Sequence, residues 1–314
     1  MLIQLKTAAR GAMRHPLARA AAIRAAARRG HGLALVYHRV TADGDVAHGE
    51  VVPSLGRSRL RAQLEALAEL GDVVDLPRLL DPPASRRRPR FALTFDDDYP
   101  HHTAHALPVL RDVGAPGTFF LSGRALHGLG PYWWERLEAL VAADGVERAG
   151  RALGISGDSP QALAAVCERD PAARGRLAAL VPGAGGRPLD VDGIRTLAAA
   201  GMTVGFHTLE HPLLPDLGSD RLAVALTTGR EKLAAATGRP LTLLAYPHGK
   251  ADQRVARATR AAGYTAAWTG WPRPARPGDD RFLLGRWEPG PLDVDAFVAS
   301  VAVRLNRAAP VARR

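Results

Sequence analysis

Three short stretches of the chain carry residue types that bind metals and move protons. TFDDDY contains the aspartates 96–98, HTLEHP contains His207 and His211, and AYPHG contains His248. Two neutral imidazoles and a carboxylate can hold one divalent ion, and three protein ligands leave a coordination position open for water. The sequence therefore predicts a metal site of the catalytic rather than the structural kind.

The spacing of His207 and His211 is weak evidence on its own, because two surface histidines beside a turn would show it too. It is not the helical HExxH pattern of a zinc protease. Thr208 stands where the glutamate would be, and Pro212 disfavours a continuing helix. The prediction of a metal site therefore depends on the combination with the aspartates.

Asp96 and Asp97 follow a predicted strand directly, and neighbouring side chains of an extended chain point to opposite faces. One carboxylate can therefore bind the metal while the other accepts a proton from water. The alternative for an Asp pair at this place is a turn or a helix cap. We expect that capping role for Asp98, at the helix that begins at Thr103. Surface or rim positions are expected for His101, His102 and His105.

These residues must be positioned by an alternation of strands and helices. The predicted strands are LALVYH, DVVDL, FALTF, GTFFLS, MTVGF, LTLLAY, YTAAW and RFLLGR. The predicted helices between them span residues 59–70, 103–112, 191–200, 219–237, 252–262 and 293–306. Such alternation predicts a parallel sheet, open or closed into a barrel, that binds ligands at the carboxyl ends of its strands. The aspartates, His38, His207 and His248 all stand at such ends.

A helical insertion interrupts the alternation between residues 124 and 190. Helices are predicted there over 133–143, 159–168 and 171–180, separated by turns rich in Gly and Pro. The single cysteine, Cys167, lies in one of them. Its Ala-rich surroundings predict a small core residue rather than a nucleophile.

The surplus of basic residues lies at the two ends of the 314-residue chain. The formal charge is +11, of which residues 1–30 supply seven basic side chains and residues 304–314 four, with no acid in either segment. The body between them is neutral, so we expect no nucleic-acid partner. Residues 1–30 are predicted to form two short helices, 2–14 and 17–29, which either pack on the domain or rest on an anionic membrane surface.

The sequence shows no stretch that is long and apolar enough for a transmembrane helix. The basic amino terminus also lacks the apolar region of a secretory signal. We therefore expect a cytoplasmic protein, with peripheral membrane association through residues 1–30 as the alternative.

The order TFDDDY, HTLEHP, AYPHG, each after a predicted strand, resembles the signature of the polysaccharide deacetylases, the NodB-homology or carbohydrate esterase family 4 group. LVYHRV and PYWWERL resemble in particular an AYP-motif subgroup associated with bacterial surface-polysaccharide biosynthesis. The resemblance implies an α/β fold, a distorted (β/α) barrel of about seven strands, with the helical insertion. It would occupy residues 31–306, between the basic segment 1–30 and a basic tail, 307–314.

The resemblance also implies a reaction. The family removes acetyl groups, chiefly N-acetyl and in some relatives O-acetyl, from sugars by metal-dependent hydrolysis. Matched by motif, Asp96 is the general base, and the ligands of a divalent metal are Asp97, His207 and His211, with Zn²⁺ as our first choice. The implied partner is an N-acetylated glycan or a lipid-linked sugar.

Two departures from the family pattern leave catalytic roles to be filled. Ala245 stands where an arginine normally orients the catalytic aspartate, and we expect Arg286 in LLGRW to replace it. No histidine follows His248, so the family's general acid near the carboxyl end is missing. We expect His38 in its place, ahead of His248. These gaps leave open a carbohydrate-binding barrel without turnover, beside the alternative of an O-acetyl esterase.

Further residues are expected on the substrate side of the site. Trp133 and Trp134 can offer aromatic faces to a pyranose ring, or else anchor the insertion on the barrel. Tyr246 and Pro247 are assigned to substrate binding by their motif. The backbone N–H of His248 matches the family's donor to the oxyanion.

Overall fold

The domain is organised around a parallel sheet of seven strands. The structure, a computed structural model, describes residues 15–45, 49–82 and 86–307. The strands are β1 (Gly32–Tyr37), β2 (Arg39–Thr41), β3 (Ser54–Gly56), β4 (Asp72–Val73), β5 (Arg90–Asp96), β6 (Thr118–Leu121), β7 (Thr203–Phe206), β8 (Leu243–Ala245) and β9 (Ala266–Trp268). The sheet runs β1, β5, β6, β7, β8, β9, with β4 paired to the start of β5, while β2 and β3 form a separate pair.

Helices surround the sheet and insert between β6 and β7. They are α1 (Pro16–Arg28), α2 (Arg57–Leu70), α3 (Leu107–Asp112), α4 (Trp133–Asp144), α5 (Val146–Leu153), α6 (Pro160–Arg169), α7 (Pro171–Leu180), α8 (Val191–Ala199), α9 (Ser219–Thr227), α10 (Arg230–Thr237), α11 (Gln253–Ala261) and α12 (Val294–Leu305). Those from α4 to α7 make up the predicted insertion. They share a small core that contains Leu137, Leu163 and Leu177, and Cys167 is buried in it as expected.

The two faces of the strands bury different residues, because side chains alternate along an extended chain. In β5, Phe91, Leu93 and Phe95 belong to the core between the sheet and the helices. Ala92, on the other face, belongs to a second cluster of smaller residues inside the sheet. This alternation also turns Asp96 inward, at the carboxyl end of the strand.

The sheet curls into a distorted barrel, which confirms the predicted fold class. Single bridges, Trp268 to Leu284 and Leu35 to Trp287, close the gap between β9 and β1. The prediction of a regular strand over RFLLGR is wrong, because this segment crosses the gap and pairs at isolated residues only.

Other element boundaries also differ from the predictions. The helix expected over 219–237 is two helices, because Gly229 adopts a left-handed conformation (φ +87°) between them. DVVDL is a strand only over Asp72–Val73, and a 3₁₀ helix with Pro77 in its first turn follows at Leu76–Leu80. The helix expected from Thr103 begins as a π-helical turn, and α5, β2 and β3 were not predicted.

The amino-terminal helix α1 packs on the domain. Ile23, Ala26 and Ala27 are buried on its inner face, and Arg19 pairs with Asp295 of α12. The predicted helix over 2–14 and most of the tail 307–314 lie outside the described residues. Within the described ranges, no helix is long and apolar enough to cross a membrane.

Candidate active site

Asp96 is paired with a buried arginine. Arg286, in the segment that closes the barrel, donates hydrogen bonds of 2.6 Å to both carboxylate oxygens of Asp96 and one of 3.1 Å to Thr94 Oγ1. Burial alone would raise the pKa of Asp96, but the guanidinium of Arg286, together with His207 and His38, lowers it to about 2. The carboxylate is therefore ionised and held in one orientation, through the contact expected for Arg286.

Asp97, His207 and His211 converge on one point. One donor atom of each lies within 4.8 Å of the others. The Oδ1 of Asp97 is 3.7 Å from Nε2 of His207 and 3.8 Å from Nε2 of His211. This oxygen is buried and finds no hydrogen-bond partner among the described residues. The donor set, spacing and unpartnered oxygen fit one divalent ion bound at about 2 Å.

Strained backbone and hydrogen bonds fix the positions of these three residues. Asp97 (φ +72°) and His211 (φ +55°) adopt the left-handed conformation, which is costly for residues with a Cβ. The Nδ1–H of His207 donates to Ala245 O at 2.8 Å, which leaves the Nε2 lone pair to face Asp97. His102, expected at the surface or rim, is instead buried, and its Nε2 contacts Asp97 O at 2.9 Å.

Burial also sets the protonation of the three residues. It lowers the pKa of His207 to about 4 and that of His211 well below its usual value. Both imidazoles are therefore neutral at physiological pH, the form that binds metals. Burial raises the pKa of Asp97 to about 7, as expected for a carboxylate with no cationic partner in contact.

The expected capping role of Asp98 is wrong. Its carboxylate accepts backbone hydrogen bonds from Ser122 (2.9 Å), Gly123 (3.3 Å) and Arg124 (2.7 Å), in the turn after β6. The neighbouring β6 offers these N–H groups at the same sheet edge, so the side chain turns to them and away from the helix at Thr103. Asp98 thus ties the start of the insertion to the aspartate loop.

Two histidines at the rim pair with glutamates. The Nδ1 of His38 lies 3.0 Å from Glu288 Oε1, and the Nε2 of His248 lies 3.3 Å from Glu168 Oε1. Burial alone would lower the pKa of His38, but Glu288, together with the more distant Asp96 and Asp97, raises it to about 9. The sequence analysis did not single out either glutamate, because each is far from its histidine along the chain.

A cavity of about 490 Å³ brings most of the predicted site residues together. It is lined by Asp96, Asp97, His207, His211, His38, His248, Trp133, Trp134 and Arg286. Tyr246 and Pro247 are not part of this lining. The Tyr246 side chain is fully buried, and its hydroxyl donates to Phe282 O at 2.8 Å.

The two tryptophans differ in their surroundings. Trp134 is 4% exposed, stacks on Tyr132 with ring centroids 4.2 Å apart, and meets the ring of His211 edge-on at 4.8 Å. Its Nε1–H donates to Tyr99 Oη at 3.1 Å. Trp133 is half-buried and packs against the insertion core. Both therefore anchor the insertion beside His211 while they line the cavity.

A barrel with an Asp/His/His group that could bind a metal, and a second aspartate beside it at the carboxyl ends of the strands, has the layout of a hydrolase active site. The family model described as polysaccharide deacetylase matches residues 84–267, more than half of the chain. The protein therefore belongs to the polysaccharide deacetylase family, whose members are hydrolases. No curated protein sequence gives a significant match.

Solved structures of similar fold agree with this family. IcaB from Ammonifex degensii has 20% identity and a TM-score of 0.58, over 88% of this chain and 97% of that one. The Streptococcus pyogenes deacetylase PplD in complex with acetate has 15% identity and a TM-score of 0.56, over 83% and 95%. BC0361, a polysaccharide deacetylase from Bacillus cereus, has 18% identity and a TM-score of 0.57, over 86% and 69%. At identities of 15% to 20%, these comparisons show that the fold is similar and nothing further.

Proposed function

We propose that the protein removes an acetyl group, N-acetyl in preference to O-acetyl, from a glycan or lipid-linked sugar in polysaccharide biosynthesis. The observation that carries this proposal is the buried group of Asp97, His207 and His211 beside an aspartate that binds an arginine. The three residues would hold a divalent metal, with Zn²⁺ as the first choice. When bound, such an ion polarises the acetyl carbonyl and lowers the pKa of a coordinated water.

Asp96 is the proposed general base. Its Oδ2 lies 3.8 Å from Nε2 of His207, so the carboxylate borders the metal position without belonging to the ligand group. The low pKa keeps it ionised over the whole working range, and Arg286 fixes its direction. Such a carboxylate is a weak base, so its contribution is to receive a proton from a well-placed water as attack proceeds.

His38 is the proposed general acid. It lines the cavity, and Glu288 keeps its imidazole protonated at neutral pH. A protonated imidazole can deliver a proton to the departing amine nitrogen when the tetrahedral intermediate collapses. His248 also lines the cavity, and it adopts a left-handed backbone conformation (φ +56°) in the turn after β8. We assign its N–H to the oxyanion, with His248 as the second choice for the acid.

In this proposal, other residues of the chain fill the two gaps in the family pattern, which suggested a barrel without turnover. Arg286 makes the contact to Asp96 that Ala245 cannot make, and His38 carries a carboxylate partner. Trp133 and Trp134 border the sugar in this proposal. Tyr246 and Pro247 immediately precede His248, and we propose that they serve substrate binding by positioning this residue and not by contact with the sugar.

Metal content and acetate release test the proposal together. Purified protein is expected to hold about one divalent ion per chain, and Asp97→Ala or His207→Ala to lose it, whereas His105→Ala, outside the cavity, retains it. Acetate is measured with chitooligosaccharides, a polyprenyl-linked N-acetylhexosamine and an O-acetylated sugar. Folded protein that binds no metal and releases no acetate from any of them would contradict the proposal.

A further inference from the structure

The active-site cavity is the first of three adjoining pockets. It shares Trp133, Glu168, Arg169, His211 and Leu213 with a second pocket of about 540 Å³. The second pocket shares Glu210, Pro212, Leu217 and Arg221 with a third, of about 240 Å³. Because each pocket has lining residues in common with the next, the three lie in a row that leads from the Asp/His/His group to the surface of helix α9.

The second pocket is lined by charged side chains. They are Glu168, Arg169, Arg174, Glu210, Asp216 and Arg221. Glu168 is held by its neighbours, since its Oε1 lies 3.3 Å from His248 Nε2 and 4.0 Å from Arg174 Nη1. Arg169 and Arg221 form no side-chain hydrogen bond or ion pair with any residue that the structure describes. Both guanidinium groups can therefore bind an anion.

These two arginines stand at the two ends of the second pocket. Arg169 also lines the active-site cavity, and Arg221 also lines the third pocket. A guanidinium group binds phosphate oxygens through paired N–H donors, which suits it to a phosphate or diphosphate. Glu210 and Asp216 are exposed in the same lining, so the pocket as a whole has no surplus of positive charge. Recognition of an anion here depends on direct contact with Arg169 and Arg221.

The third pocket, the apolar groove, is lined by Leu209, Pro212, Leu217, Val224 and Ala225, beside Glu210, Asp220, Arg221 and Thr228. Residues 221, 224 and 225 recur at helical spacing and form one face of α9, whereas Leu222 and Leu226 on its other face are buried in the barrel core. Val224 is 60% exposed, so this face of α9 leaves apolar surface in contact with water. Among the described lining residues there is no aromatic ring on which a nucleobase could stack.

We propose that this row of pockets binds a polyprenyl-linked sugar, with the acetylated sugar in the active-site cavity, the phosphate linker on Arg169 and Arg221, and the isoprenoid chain in the apolar groove. The inference rests on the proposed deacetylase function and specifies its substrate. The three parts of such a molecule follow one another in the same order as the three pockets. A free glycan has no apolar tail for the groove, and a nucleotide sugar ends in a base for which the groove has no stacking partner.

Acetate release from three substrates tests the assignment without any mutation. The full-length, metal-loaded protein is compared on a polyprenyl diphosphate N-acetylglucosamine, on UDP-N-acetylglucosamine, which has the same sugar diphosphate without the lipid, and on chitotetraose. We expect kcat/KM for the lipid-linked sugar to exceed the other two values by at least about a hundredfold, because only this substrate buries an apolar chain. A kcat/KM for either of the others that equals or exceeds it would overturn the inference and leave the proposed function intact.

Matched variants test the groove and the arginines. Val224→Asp places a charge in the apolar groove, and Ala223→Asp makes the same change at the preceding residue, which is also exposed but outside the lining. We expect Val224→Asp to raise KM for the lipid-linked sugar by at least about tenfold with little change in kcat, and Ala223→Asp to change KM less than about twofold. Arg221→Gln should likewise raise KM, whereas Arg257→Gln, at an exposed position of α11 outside the three linings, should not. Equal KM values within either pair would contradict the inference.

Photocrosslinking measures occupancy of the groove without turnover. A benzophenone analogue of geranylgeranyl diphosphate is irradiated with the full-length protein, and labelled peptides are identified by mass spectrometry. We expect label within residues 209–228, reduced in Val224→Asp but not in Ala223→Asp, and displaced more readily by geranylgeranyl diphosphate than by geranylgeraniol, which lacks the anion. No label there, or a dimer that Val224→Asp dissociates, would overturn the inference, since in the second case another copy of the chain covers the groove.

The inference and the proposed function fail in different ways. Acetate released from chitotetraose, without label on α9, rejects the lipid-linked substrate alone. Label on α9 without acetate from any substrate, with metal bound, rejects the deacetylase function and the substrate assignment with it. Circular dichroism of the variants separates misfolding from a lost binding site.

Discussion

Asp96 and Arg286 form a buried ion pair that links the end of β5 to the segment that closes the barrel. The two residues are 3% and 2% exposed, and the carboxylate accepts two hydrogen bonds from one guanidinium. The sequence could predict this pair only through the family motif, in which Ala245 leaves an arginine missing. Nothing local indicates it, because the partners are 190 residues apart. For Glu288 and Glu168 no motif indicates the histidine with which each pairs.

Loss of Arg286 is expected to destabilise the protein. Arg286→Met leaves the Asp96 carboxylate buried without a partner, which costs on the order of 3–5 kcal/mol at neutral pH. Because the pKa of Asp96 is lowered to about 2, the ion pair contributes above about pH 4 and is lost as the pH falls towards 2. The difference in free energy of unfolding from wild type should therefore shrink in acid.

Denaturant unfolding at pH 7 and pH 3 measures this effect. The double variant Asp96→Asn, Arg286→Met removes both charges and should recover much of the lost stability while remaining inactive. A single Arg286→Met variant as stable as wild type at pH 7 would show that the pair is not a structural element.

The pairing of His38 with Glu288 predicts a particular pH profile. If protonated His38 is the general acid, activity falls as the pH rises past its pKa of about 9. Glu288→Gln removes the carboxylate that raises this pKa, so the alkaline limb of kcat should move to lower pH. Glu147→Gln, on the insertion surface, is the control. An unmoved alkaline limb in Glu288→Gln would reject His38 as the acid.

At the scale of elements, periodicity identified most of the barrel. The strands FALTF, GTFFLS and MTVGF are apolar enough to be recognised, and their carboxyl ends carry Asp96 and His207 as expected. RFLLGR also has an apolar centre, but it pairs only at Leu284. A segment becomes a strand only where an adjacent strand offers a continuous row of hydrogen-bond partners, and its composition does not show this. The prediction of a helix cap at Asp98 was wrong because a partner distant along the chain is present here too. The backbone N–H groups in the turn after β6 bind the Asp98 carboxylate, so it does not cap the helix.

Removal of Asp98 should therefore loosen the turn after β6 rather than a helix start. Asp98→Ala deletes three hydrogen bonds to a buried carboxylate, with an expected cost on the order of 3 kcal/mol. Asp112→Ala, which removes an exposed pair with Arg61, should cost less than about 1 kcal/mol. Thermal unfolding measures both, and hydrogen exchange should show the added opening at residues 122–124. Protection lost at residues 103–106 instead would favour the cap.

At the scale of the whole molecule, long-range packing decides what the sequence could not predict. The insertion contacts the barrel through Gln161 and Glu168, whose partners Glu50 and His248 lie in loops that are distant along the chain. The distribution of charge could be read from the sequence directly, because it separates residues 31–303, which carry no net charge, from the two basic ends. In α1 the inner face is buried on α12, so outward arginines such as Arg24 and Arg28 remain exposed.

Membrane association through residues 1–30 gives a prediction at this scale. A chain that begins at His15 keeps α1 on the domain but lacks Lys6, Arg10 and Arg14. At about 1 kcal/mol for each basic residue near an anionic surface, its binding should weaken on the order of 100-fold at low salt. Co-sedimentation with vesicles of phosphatidylglycerol and of phosphatidylcholine measures this. Equal pelleting of both chains with the anionic vesicles would exclude the contact.

The central claim is that Asp97, His207 and His211 hold a metal that works with Asp96 to remove an acetyl group. Acetate release before and after metal removal tests it most directly, on the substrate that the wild-type protein accepts. We expect a chelator to abolish the release, Zn²⁺ to restore it, and Asp96→Asn to retain the metal but lose activity by at least about a hundredfold. Acetate release that survives complete metal removal, or that is unchanged in Asp96→Asn, would contradict the account.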